Sequence, residues 1–167
     1  MSFQKRVQAI NEHLRSQQLA ILIWGPPPNS PGYELRQHIR QNLASEFYNS
    51  EVLLSDELEA KDILSEELPI RERELLHVAA SDLVIVVVGS QGSLAEVDTL
   101  INSIFGHKFL LIVHEHLKDN LLFSNRLRSK GSAVFYSGDD LKSGNILEVI
   151  ATRVRQVALA KMVGLEV

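Results

Sequence analysis

The chain has 167 residues, 45% of them apolar, a formal charge of -4 and no cysteine, which bounds a single domain, residues 1–167, able to bury one core. The acidic balance and the lack of a strongly basic block exclude a dedicated nucleic-acid surface, which needs clustered Lys and Arg. Without cysteine there is neither a disulfide framework nor a thiolate metal site; residues 1–16 carry charges throughout, so neither a signal peptide nor a membrane span is expected and a cytoplasmic setting is the default.

In chain order, residues 3–16 form a short amphipathic helix with Val7, Ile10 and Leu14 at helical spacing, leading into a first strand at 19–24 that stops at Gly25. From Tyr33 onward, Leu35, Ile39, Leu43 and Phe47 recur every four residues and paint one helix face; 51–54 is a short second strand. Ser55 begins an exposed loop, followed by a helix over about 66–81 that tolerates Pro69 only near its first turn. Residues 83–88 are a third strand, 94–105 a helix ended by Gly106, and 108–113 a fourth strand. Residues 120–130 are expected to be helical and 133–136 a strand. Ile146, Val149, Ile150, Val154, Val157 and Ala158 mark a long closing helix. Alternating strands and helices, with strands apolar on both faces, predict an α/β fold. It is a three-layer, doubly wound, Rossmann-like parallel sheet of about five strands in flavodoxin-like order.

The stretch richest in chemistry runs from the apolar strand Leu83–Val88 into Gly89-Ser90-Gln91-Gly92-Ser93-Leu94-Ala95-Glu96. A buried strand that stops at small residues and opens a helix places backbone N–H groups, a helix N-terminus and a carboxylate at the carboxyl edge of the sheet, where phosphate and ribose groups bind. Glu96, in the first turn, is favoured in its ionised form by the helix dipole and can attack or stabilise an anomeric carbon. The same four residues from Ser93 to Glu96 also read as a capping box, in which the two side chains satisfy each other's backbone N–H groups.

The first strand ends in Trp24-Gly25-Pro26-Pro27-Pro28-Asn29-Ser30-Pro31-Gly32. This is no P-loop, for it lacks the required Lys-Ser or Lys-Thr, and its prolines remove N–H donors. It reads either as a rigid wall for a base or ribose, with Asn29 and Ser30 as polar contacts, or as an ordinary proline-stiffened turn. Arg71, Glu72, Arg73 and Glu74 form an alternating charged face, and Asp82 starts a strand. His114, Glu115 and His116 reach the carboxyl edge after the fourth strand, where a His can bind phosphate or move protons. Strand alternation would send successive side chains of these three to opposite sides, and no metal site is expected of them.

The glycine turn and its glutamate resemble the proline-glycine-glycine-x-glycine-threonine-x-x-glutamate signature of Lonely Guy type nucleotide phosphoribohydrolases, with Val88, Ser90 and Ser93 at the proline, second-glycine and threonine places. The order of elements is similar to the nucleoside 2-deoxyribosyltransferase-like superfamily. That resemblance implies Glu96 as nucleophile, Gly25 after Trp24 beneath the nucleoside, and Glu74 as the helix acid. The chain departs from it where Ser90 stands in place of the usual aspartate and where the first loop is rich in proline.

The expected function is therefore binding of a nucleoside or nucleotide, with cleavage or transfer of its N-glycosidic bond through Glu96 and assistance from Glu74. Trp24, Gly25, Asn29, Ser30, Gly89, Ser90, Gly92 and Ser93 would contact substrate; no cofactor and no metal is called for. A non-catalytic nucleotide-sensing or partner-binding module of the same fold is the alternative. Apolar groups extending to Leu159, Met162 and Val163 on the closing helix suggest a homo-oligomer.

Overall fold

A computed structural model describes residues 2–61, 68–90, 97–118 and 132–165. Five parallel strands, β1 (Ala20–Trp24), β2 (Glu51–Leu54), β3 (Leu83–Val88), β4 (Phe109–His114) and β5 (Ser132–Tyr136), lie in the order β2-β1-β3-β4-β5. This is the flavodoxin-like order, with its reversal between β1 and β3. The helices are α1 (Phe3–Arg15), α2 (Tyr33–Glu46), α3 (Ser55–Lys61), α4 (Ile70–Ala80), α5 (97–101), α6 (Gly138–Ser143) and α7 (Asn145–Met162).

All six residues of β3 are buried because the strand is central and covered on both faces. Alternation splits it: Leu83, Ile85 and Val87 join Leu35, Ile39 and Leu43 of α2 and Ile150 and Val154 of α7, whereas Val84, Val86 and Val88 join Val78 of α4 and Val97, Leu100 and Ile101 of α5. Two apolar layers of this kind are what holds a doubly wound sheet together, each fully buried aliphatic side chain contributing about 1.5–3 kcal/mol as an upper bound.

The strand edges are tied by polar groups at the amino end. Asp82 N–H donates to the Ala20 carbonyl at 2.8 Å, and Ala20 N–H donates back to Asp82 Oδ2 at 2.8 Å. Lys161 Nζ adds 2.9 Å to the same carboxylate oxygen. Asp82 thus registers β1 against β3, in keeping with a strand-starting role.

Several local expectations change. Ser55 opens a helix rather than a loop, since Glu57 folds back to accept the Leu54 N–H at 3.1 Å and Asp56 and Glu57 favour the helix start. Pro69 stands at the N-cap of α4, so that helix begins at Ile70 and not near 66. The helix reaching position 101 gives way to turns, and Gly106, itself buried, opens a single turn of 3₁₀-helix instead of ending an α-helix. A further short helix, α6, precedes α7, capped by Ser137 and Asp140 reciprocally and ended by Gly144 at φ +73°. On α1 only Leu14 is buried; Val7 and Ile10 are exposed. The helix expected at 120–130 lies outside the described residues. No helix among the described residues is long and apolar enough to cross a membrane.

Candidate functional site

The site is built on the loop between β1 and α2. Ser30 N–H donates to the Pro27 carbonyl at 3.2 Å, with Pro28 and Asn29 (φ +66°) between them. Tyr33 N–H then donates to the Ser30 carbonyl at 3.1 Å across Pro31 and Gly32 (φ +90°). Proline followed by a left-handed residue is the pattern of a type II turn, so two such turns in succession give the loop a determined path.

That path lies across the reversal point of the sheet. A Cβ at Gly89 would lie 3.0 Å from the Pro31 carbonyl oxygen and 3.4 Å from Pro26 Cβ; one at Gly25 would lie 3.0 Å from Cδ of Arg36 and 3.3 Å from Val87 Cβ. The space both glycines leave is therefore occupied by the chain itself. Arg36, 2% exposed on α2, donates from its guanidinium to the Pro26 carbonyl at 3.4 Å, the Ser55 hydroxyl at 3.2 Å and the Asp56 carboxylate. It fastens the loop to the start of α3.

With the crevice between β1 and β3 filled, the open volume lies beside it, over the carboxyl ends of β3, β4 and β5. A cleft of about 910 Å³ is bounded by residues 29–35 and His38 at the start of α2, Val88 and Gly89 ending β3, His114 and His116 beyond β4, Tyr136 ending β5, and Leu141 and Lys142 of α6. The α2 N-terminus faces it without a side-chain cap, because its capping position is Gly32.

His114 and His116 meet. A single 3₁₀ turn over Glu115–Leu117 follows β4 and carries the second imidazole beside the first. The ring centroids are 4.6 Å apart and the Nδ1 atoms 2.6 Å apart. The His116 backbone N–H also donates to His114 Nδ1, at 3.3 Å. The His114 ring stands edge-on to Tyr136 at 5.1 Å, and burial pushes the Tyr136 phenol above its ordinary pKa. Among the described residues no group of three or more His, Asp or Glu is placed to hold a metal ion.

Of the residues expected to touch substrate, Asn29, Ser30 and Gly89 line the cleft. Trp24 does not: it packs on the other face of the sheet, edge-on to Phe109 at 6.0 Å. Gly25 sits beneath Arg36, and Ser90 is exposed just past Gly89. Glu74 is half-buried on α4, the helix covering the face opposite α2, and is not part of the cleft wall. Gly92, Ser93 and Glu96 lie outside the described residues, so the choice between nucleophile and capping box falls there too. Tyr33, Glu34, His38, Tyr136 and Lys142 are cleft residues that the sequence reading passed over. The signal for the first three was present, because the helix after a parallel strand must begin at the carboxyl edge; that for Lys142 was not, since α6 was unforeseen.

No protein-family model matches the chain, and no curated protein matches it either.

Proposed function

We propose that this protein binds a nucleoside or nucleotide in the cleft over β3, β4 and β5 and cleaves or transfers its N-glycosidic bond, with Glu96 as the nucleophile. The observation that carries the binding half is the cleft itself: an open volume at the carboxyl edge of a flavodoxin-like sheet, walled by Asn29, Ser30, Tyr33, Glu34, three histidines and a lysine. Gly89 forms part of its floor and leads within seven residues to Glu96. Attack by the Glu96 carboxylate on the anomeric carbon would break the N-glycosidic bond, expel the base and form the glycosyl intermediate that water or an acceptor resolves.

The test is release of free base from a panel of nucleosides and their 5′-monophosphates, followed chromatographically for the wild type and for Glu96→Ala. Release that falls about a thousandfold or more in the variant is expected for a lost nucleophile. Equal rates in both proteins would remove Glu96 from the chemistry.

A second reading, a binding module without turnover, is favoured by one specific feature. The chain's own proline loop and Arg36 occupy the reversal point, leaving the cleft one strand aside. Calorimetry that finds nucleotide binding with no base release would select it. The exposed Leu159, Met162 and Val163 at the end of α7 are consistent with self-association, and light scattering over a concentration series that shows only monomer would dismiss that element of the proposal.

A further inference from the structure

We infer that the His114–His116 pair, together with Lys142, is a subsite for the phosphate monoester of the ligand. The inference rests on the reading of the cleft as the ligand site and assigns the phosphate state that the reading leaves open.

The contacts leave the outer nitrogens open. His114 Nδ1 accepts from the His116 backbone N–H at 3.3 Å and lies 2.6 Å from His116 Nδ1, so the inner nitrogens of the two rings are engaged with each other. Neither Nε2 has a protein partner among the described residues, while both rings line the cleft. An imidazole N–H donates to a phosphate oxygen, and charge-assisted bonds of this kind are the strong ones. The spacing also argues against a metal between the Nδ1 atoms, because two Zn–N bonds of about 2.0–2.1 Å hold their nitrogens farther apart than this.

The groups around the pair support an anion. Lys142 on α6 adds a positive charge and Tyr136 on β5 stays a neutral phenol, while Glu34 and His38 face from α2. Within the same turn are Glu115 and Lys118, and Lys118 Nζ lies 5.6 Å from the Phe135 ring. On α6, Asp140 is engaged by the Ser137 N–H and hydroxyl at 2.8 Å each. Register places the subsite well: Val88 pairs with Val113 and His114 with Tyr136, so Gly89 and His114 each follow one member of the last β3–β4 pair. A ribose can bridge those two strand ends, its glycosidic carbon toward β3 and its 5′-phosphate over β4.

Titration calorimetry on the full chain decides it, using adenosine with its 5′-monophosphate, deoxyuridine with its 5′-monophosphate, and inorganic phosphate as competitor. Each titration is run at about pH 7.5, where the phosphate monoester is mostly a dianion. We expect one monophosphate of these pairs to bind at least about tenfold more tightly than its nucleoside. His116→Gln, at an exposed position, should bring the monophosphate down toward the nucleoside's affinity and leave the nucleoside's own affinity unchanged. A nucleoside and its monophosphate bound equally would overturn the phosphate subsite and leave the proposed function standing. A phosphate advantage that survives His116→Gln would overturn the assignment to this pair. Failure of all the probes to bind would overturn both.

Discussion

Arg36 and Asp56 form an ion pair whose two ends sit in different surroundings: the guanidinium is 2% exposed and the carboxylate 59%. The buried end does the structural work. The stem of Arg36 fills the hollow over Gly25, and its head group joins the proline loop to α3. Filling the reversal point in this way is what moves the open cleft toward β4 and β5.

Arg36→Ala is expected to destabilise the protein by about 3 kcal/mol, because it removes both a packed stem and a loop anchor. Arg36→Met, which keeps apolar volume and deletes the charge, should cost clearly less. Chemical denaturation of both variants checks the order.

Asp56→Ala should cost about 1 kcal/mol at neutral pH, since water reaches the exposed side and partly replaces the carboxylate. Burial pushes the Asp56 carboxyl up, but hydrogen bonds from Arg36 and from its own backbone N–H, with the charges of Arg36 and Arg40, outweigh it and hold the group below its ordinary pKa. A depressed carboxyl stabilises the fold above the unfolded value, near about 3.9, and that contribution disappears as pH falls through the folded value. The difference between wild type and variant is therefore expected to be constant at neutral pH and to close in acid. Urea titrations at about pH 7 and about pH 3 read it directly.

Gly89→Ala should destabilise by about 1–3 kcal/mol and weaken ligand binding in the cleft, since its Cβ would press on the Pro31 carbonyl oxygen at 3.0 Å. The contact is with backbone held by two turns, which cannot swing aside as a side chain does. Thermal melts and ligand titrations on the same variant should move together.

Asp82→Ala is expected to cost about 1–3 kcal/mol through the lost acceptor for Ala20 N–H and for Lys161. It lies at the amino end of the strands, the edge opposite the cleft, so any ligand binding measured in the cleft should be the same for the folded variant and the wild type. A changed affinity would mean that the two edges are coupled.

Lys108→Met should lower stability by about 1–2 kcal/mol with no change at the cleft. Lys108 Nζ donates to the carbonyls of Ala79 at 2.9 Å and Ser81 at 2.8 Å, closing the carboxyl end of α4 where cations are favoured. Denaturant midpoints for wild type and variant provide the comparison.

The amino-acid sequence by itself determined the strands, the parallel sheet and its flavodoxin-like order, because these follow from the two-sided apolar runs such as Leu83–Val88 and from the four-residue recurrence of Leu35, Ile39, Leu43 and Phe47, all of them buried. It also pointed to the carboxyl edge, where Asn29, Ser30 and Gly89 line the cleft. Only the tertiary structure decided where the opening lies: the bulk of Arg36 and the folded proline turns occupy the reversal point, and Trp24 turns to the opposite layer. It likewise brought the His114 and His116 rings into contact, since the path of the turn over Glu115–Leu117 sets their separation. Periodicity reports which face a side chain takes within an element; which hollow is filled and which stays open depends on side chains distant in sequence, such as Arg36 against Gly25 and Pro31 against Gly89.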